Sequence, residues 1–328
     1  MVEGKFNRPE FLKPELQILD KSPGGASPTR KMRLLRELPV STPPGEEIKT
    51  EHYYIKQITI PGEGWGLNLP EYNADKPWAS SLADVRAILV KLRQENRPRT
   101  AAEVLEEVKK NEFIYKSLTS RLKKGETPIK RVGKCINLLQ PETVLRHTKE
   151  LYERHVHWFN NDIPDFVIPK LFVLGKGEEG EARGYVVKEH VDSTEEVEGV
   201  WADLGFLFEH AFSAHDNSEE LKSIARPFAE RLKKHFSLEQ YATLADEFRK
   251  FVSISRNIMK EEELVIDVGP AGRKSNIRIT PEGHLRMIDT DRVYPLRQGD
   301  GRLDTPAMNV GHALTALDFV ADELSKSS

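Results

Sequence analysis

The run IleArgIleThrProGluGlyHisLeuArgMetIleAspThrAsp, residues 277–291, leaves little freedom in how it folds. Ile277 and Ile279 alternate with Arg278 and Thr280, ProGluGly at 281–283 reverses the chain, and Leu285, Met287 and Ile288 resume an apolar pattern. This predicts a two-stranded hairpin. Asn276 stands just before the first strand, and Asp289 closes the second thirteen positions later. Such a hairpin can place the amide oxygen and the carboxylate at one end, where two hard oxygen ligands hold a divalent cation against a polyphosphate. The same residues also suit an ordinary surface hairpin with polar capping groups.

Bulk properties set the frame. The chain has 328 residues, 38 % hydrophobic and 31 % charged, with a formal charge of −3. That predicts a soluble globular protein of two domains or one large bilobal body. Cys135 is the only cysteine, which excludes an internal disulfide and cysteine-cluster metal sites and fits a reducing compartment. No apolar run approaches the ~20 residues needed to span a bilayer. The N-terminus lacks the apolar stretch of a signal peptide, so the expectation is a cytoplasmic protein without membrane contact.

Residues 1–50 are rich in Pro, Gly, Ser and charge and read as an extended or partly disordered arm. Residues 51–125 predict a β-hairpin followed by three helices. Tyr53 to Ile60 alternates, and Gly62, Gly64 and Gly66 turn the chain. Ser81 caps a first helix, Thr100 with Glu103 opens a second, and Gly125 stops a third. Residues 128–139 read as a strand or strand pair, and a helix follows from Pro141 to Phe159. Strands are expected over 166–174 and 184–191. Helices then fill 200–212, 221–236 (with Pro227 as a kink or break), 237–254 (capped by Ser237 and Gln240) and 307–325.

The segment from Asn276 through Ile288 and Asp289 to Asp291 resembles the catalytic-loop Asn and metal-binding Asp of the protein-kinase-like fold. It is closest in style to the aminoglycoside phosphotransferase and choline kinase branch. GlyTyrValValLysGluHisValAsp, 184–192, resembles that family's last N-lobe strand and hinge. The resemblance implies an α+β, bilobal fold, with a small β-rich N-lobe over 126–192 and a helical C-lobe over 193–328 carrying the hairpin. It implies ATP and Mg2+ as cofactors, with Asn276 and Asp289 on the metal and Asp291 in support. The hinge backbone at Lys188, Glu189 and His190 would hold adenine. Lys134 (or Lys130) would pair with the phosphates, with Glu150 or Glu153 orienting it. Asp267, nine positions before Asn276, would accept the proton of an unknown phosphoryl acceptor. The chain departs from the family in lacking a His-x-Asp before Asn276 and a glycine-rich loop just before Lys134. A pseudokinase, keeping the fold for nucleotide or partner binding alone, is therefore the second reading.

The third reading concerns charge. Residues 80–134 carry 14 Lys and Arg against 7 Asp and Glu. Three helices followed by a β-segment is the order of a winged helix-turn-helix, with Lys116, Arg121, Lys123 and Lys124 on the third helix and Lys130 and Arg131 on the wing. That pattern fits DNA phosphates, and it equally fits a solvated basic face. His155 and His157 fall on different helix faces, no His-Glu-x-x-His or Gly-x-Ser-x-Gly occurs, and Cys135 sits in apolar context as a packing residue.

Overall fold

The computed structural model describes residues 16–21, 29–34, 51–58, 77–120, 122, 124–176, 182–189, 191, 195–214, 217–269, 275–290, 293–297, 303 and 305–326. The fold is α+β and mostly helical, with small antiparallel sheets. The chain divides into two units. The first takes residues 1–67, 71–149 and 170–190, and the second 68–70, 150–169 and 191–328.

The first unit is built on a five-stranded antiparallel sheet of β1 (Leu16–Lys21), β2 (Thr29–Leu34), β3 (Glu51–Ile58), β4 (Lys170–Lys176) and β5 (Ala182–Glu189). Its spatial order is β1-β2-β3-β5-β4. β3 therefore pairs with β5, from Tyr53 opposite Glu189 to Ile58 opposite Gly184, and β4 lies at the edge. Buried Val173 and Val187 pack with Leu171 and Tyr185 between β4 and β5. The arm expected over 1–50 thus contains two sheet strands. Leu16 and Ile18 pair with Leu34 and Met32, and main-chain bonding outweighs the charge that dominates those stretches.

Between β3 and β4 the described chain is helical: α1 (Pro77–Gln94), α2 (Ala101–Lys109), α3 (Glu112–Thr119), α4 (Pro128–Leu138) and α5 (Pro141–Phe159). The first four share a core of Val85, Ile88, Leu92, Val104, Leu105, Val108, Leu118, Val132 and Cys135, all buried. Thr100, Asn111 and Thr127 cap α2, α3 and α4 by accepting from backbone N–H groups of the first turn. Residues 128–139 are therefore a helix, not the expected strand pair. Thr127 at the cap and Pro128 in the first turn favour it, and Val132, Cys135 and Leu139 recur on one buried face. The wing of a winged helix is absent from this stretch for the same reason.

A buried carboxylate ties α1 to α2. Glu107 receives Lys91 Nζ at 2.7 Å, Arg97 Nη1 at 2.6 Å and Lys110 Nζ. The Lys110, Lys91 and Arg97 donors hold its carboxyl well below the usual range. The start of α5 closes on β5 at Gly184, where an added Cβ would lie 3.4 Å from Leu145 Cδ1.

In the second unit, α6 (Glu195–Ser213), α7 (Ser218–His235) and α8 (Leu238–Glu261) surround α9 (Thr305–Ser325). α9 buries Val310, Leu314, Leu317, Val320 and Leu324. Of the kink or break expected at Pro227, there is no break: Pro227 lies inside an uninterrupted α7. The Asn217 cap and the buried face of Leu221, Ala225, Phe228, Ala229 and Leu232 outweigh a cost of about 3 kcal/mol. The rings of Phe159, Phe166 and Phe251 pack at centroid separations of 4.9 to 5.6 Å, Phe159 and Phe251 stacked and Phe166 tilted against both. Two short ladders complete the unit: β6 (Leu264–Ile266) with β9 (Val293–Pro295), and β7 (Ile277–Ile279) with β8 (Leu285–Met287). No described helix is long and apolar enough to cross a membrane.

Cys135 reports on the helical core. Burial pushes its thiol from 9.0 up to about 12. Over that interval the unfolded chain loses a proton that the folded chain keeps, so stability falls as pH rises through it. A Cys135→Ala variant should lack this component of the alkaline decline in urea-unfolding free energy. At pH 8 a thiol reagent should label wild type only as fast as the helices open. Prompt labelling of the native chain would contradict the packing.

Candidate functional site

The hairpin predicted from the sequence is present, with Ile277 opposite Met287 and Ile279 opposite Leu285. What matters is how its open end is tied. β6 ends in three buried residues and delivers Asp267 at its tip. Asp267 Oδ1 accepts from Gly269 N at 3.0 Å, a tight loop that needs the positive φ of +113° at Gly269. Buried Ser275 then donates from Oγ to Val268 O at 3.1 Å and accepts from Ile277 N at 3.0 Å.

Asn276 joins three segments. Its backbone N–H donates to Val268 O at 3.0 Å, and its carbonyl accepts from Ile288 N at 2.8 Å. Its side-chain Nδ2 donates to Asp267 O at 3.1 Å. The amide nitrogen is thereby fixed, which defines the direction of Oδ1, the acceptor of that side chain. Because Ile288 is bonded to Asn276, Asp289 leaves β8 beside the same loop. Asp289 is half-buried. Its Oδ1 is shut off from solvent and receives no hydrogen bond, although the residue does interact elsewhere.

The hairpin is held on several sides. At the turn, Gly283 has φ +81°, and a Cβ there would lie 2.9 Å from Gln240 Cβ. Gln240 also completes the capping box with Ser237 and donates from Nε2 to Pro281 O at 3.2 Å. Glu247, 7 % exposed, reaches from α8. Its Oε2 accepts from Leu285 N at 2.6 Å, and its Oε1 lies 2.8 Å from His284 Nδ1. On β8, Met287 N donates to Phe166 O at 2.5 Å and Val167 forms a parallel bridge with Met287. Asn160 clamps Val167 in turn, accepting its N–H at 2.8 Å and donating to its carbonyl at 3.2 Å. Arg278 Nη1 donates to Val191 O at 2.6 Å.

Asp267 and Asn276 are thus bonded directly, and Asp289 follows Ile288, whose N–H is bonded to Asn276. Lys134 does not stand where the sequence reading put it. It lies on α4 rather than on a strand, is 56 % exposed, and binds Glu126 at 2.9 Å. Lys130 shares that helix. Glu150 and Glu153 are exposed on α5. Lys188, opposite Tyr54 and Lys170, and Glu189, opposite Tyr53, end β5. His190 and Asp291 lie outside the described residues, as does the Gly62–Gly66 turn.

The sequence reading did not single out Lys56. Lys56 stands on β3, opposite Thr29 of β2 and Val186 of β5. Its signal was TyrTyrIleLys, an apolar run ending in lysine, on the last strand before the helices. Among the described residues, no group of three or more His, Cys, Asp or Glu could hold a metal ion. An amide oxygen and a carboxylate instead fit a cation that takes its other ligands from phosphate and water, the habit of Mg2+. No family model, no curated protein and no solved structure matches the chain.

The Glu247 tie should be measurable. Glu247→Ala leaves Leu285 N without its acceptor and should cost about 1–3 kcal/mol in urea unfolding. Glu247→Gln keeps one acceptor oxygen and should cost less. Equal stability of wild type and Glu247→Ala would show that the hairpin is held without α8.

Proposed function

We propose that the chain is an ATP- and Mg2+-dependent, phosphotransferase-like protein of the protein-kinase-like type. The observation that carries this is Asn276, whose backbone and side chain bond both the Asp267 loop and the strand leading to Asp289. An amide and a carboxylate so placed are the metal-binding pair of kinase phosphate sites. The order of the elements supports the same reading: three strands, intervening helices, two further strands, then a helical unit with the hairpin. In that order the lysine strand is the last before the helices, so the lysine is Lys56 rather than Lys134. SerProGlyGlyAlaSerPro at 22–28 joins β1 to β2, the place of the glycine-rich loop in kinases.

The residues then take these roles. Lys56 is the phosphate-binding lysine of this reading. Backbone groups at 188–190 hold the adenine. Asn276 Oδ1 and the Asp289 carboxylate hold the cation, which when bound neutralises charge on the β- and γ-phosphate oxygens. Asp267 takes the proton of an acceptor hydroxyl, its carboxylate oriented by Gly269 N–H. Val265, buried in β6, stands where active kinases carry the histidine of His-x-Asp. That substitution favours a second reading in which the nucleotide is bound and not turned over.

Thermal unfolding with ATP separates these readings. Saturation at about a hundred times Kd should stabilise the chain by about 2.7 kcal/mol in the presence of Mg2+. Asp289→Ala should abolish the Mg2+-dependent part, Lys56→Ala should weaken nucleotide binding, and Lys134→Ala should change neither. Labelled-ATP turnover that falls by two orders of magnitude or more in Asp267→Asn identifies the phosphotransferase. Binding without turnover identifies the pseudokinase, and no nucleotide effect in wild type refutes both.

A further inference from the structure

The helices α1–α4 take no part in that reading, yet the stretch they occupy is basic, with 14 Lys and Arg against 7 Asp and Glu over residues 80–134. Their ion pairs show where the excess lies. Glu95, Glu103 and Glu107 are paired with Lys91, Arg97 and Lys110, and Glu106 with Lys109. Glu126 takes both Arg131, buried at 2 % side-chain exposure, and Lys134. The acids of α1 and α2 therefore neutralise the bases beside them. Lys116, Lys124 and Lys130 are exposed and form no ion pair with any described residue. Arg121 and Lys123 lie between them in sequence. The described bases left without an acid partner include Lys116 on α3, Lys124 in the loop after it, Lys130 on α4, and Arg99 before α2.

The backbone there has a second feature. α2 ends at Lys109 and α3 begins at Glu112, with Lys110 as the C-terminal cap of one and Asn111 as the N-cap of the other. α1 packs against both helices. The order of two helices joined by a short turn is that of a helix-turn-helix, in which the second helix is the one that enters a groove, although the two-residue link is shorter than that motif's three or four. α3 spans eight residues, about 12 Å of rise, and the B-DNA major groove is about 12 Å wide. Leu118 anchors α3 to the core. Residues 112, 113, 116 and 120 share its outer side, and Phe113 is 83 % exposed there.

We infer that α1–α4 form a duplex-DNA-binding module with α3 as its groove-reading helix. Lys116, Lys124 and Lys130 contact phosphates on either side. A solvent-facing phenylalanine at the start of such a helix has a use, since Phe packs on the thymine methyl group, and Glu112 can accept from cytosine N4. The absent wing does not remove the groove contact, because simple helix-turn-helix proteins read DNA without one. Arg131, which sequence alone offered to phosphate, is instead a buried partner of Glu126.

The test is fluorescence anisotropy of the full chain with a labelled B-form duplex from about 50 to 200 mM salt, the range over which phosphate contacts weaken steeply. Binding should be salt-dependent. Lys116→Glu/Lys124→Glu/Lys130→Glu should weaken it at least tenfold and reduce the slope of log K against log salt by about 3, roughly 0.9 per lost phosphate contact. All three sites are exposed, so urea unfolding should stay at the wild-type midpoint. Phe113→Ala should lower affinity severalfold without changing the slope, and Lys109→Ala should do neither. Absence of salt-dependent binding, or wild-type affinity in the triple variant, overturns the proposal. So does equal affinity for duplex RNA, whose deep, narrow major groove excludes a helix.

Discussion

A single asparagine holds the second unit's chemistry in place. Asn276 uses its N–H and its side-chain amide on the Asp267–Val268 loop and its carbonyl on Ile288, so the loop carrying Asp267 is tied to the strand leading to Asp289. Replacing it by a residue with no side-chain donor keeps two of those bonds and removes the one that orients the amide. The arrangement explains why a hairpin with three residues in each strand can serve as a rigid site, although an isolated hairpin of that size is marginal in water. Its rigidity comes from neighbours.

Those neighbours act at different levels. α8 supports the turn through Gln240 and the second strand through Glu247, and its own first turn is fixed by the Ser237–Gln240 capping box. The segment after α5 supports the opposite edge through Phe166 and Val167, and Asn160 fixes that segment. Behind it the Phe159, Phe166 and Phe251 rings join the end of α5 to α8. Polar geometry at the site is thus set by side chains whose own positions are fixed by apolar packing, the condition for holding a cation without reorganisation.

Local patterns were legible where one signal ruled. The hairpin, the Thr100 cap, the Ser237–Gln240 box and the buried face of α9 all follow from residues close in sequence. Asn276 and Asp289 were read together because their separation spans one hairpin. The failures came from non-local structure. β1 and β2 are charge-rich strands whose place in the sheet comes from pairing with each other and of β2 with β3. Residues 128–139 hold apolar groups that fit either period, and Thr127-Pro128 was the decisive start signal. Reading them as a strand placed the phosphate lysine at Lys134. The helices inserted between β3 and β4 separate the strands of one sheet widely in sequence. Charge gave the basic region, and only the ion pairs of Glu107 and Glu126 showed which of its faces is in surplus.

Direct observation of the cation is the sharpest check. Mn2+ added to the protein with and without ATP can be followed by electron paramagnetic resonance, in wild type and in Asn276→Ala and Asp289→Ala. The account predicts Mn2+ binding that strengthens with ATP in wild type and is lost in both variants. Nucleotide-linked Mn2+ binding that survives in both, or its absence from wild type, would contradict it.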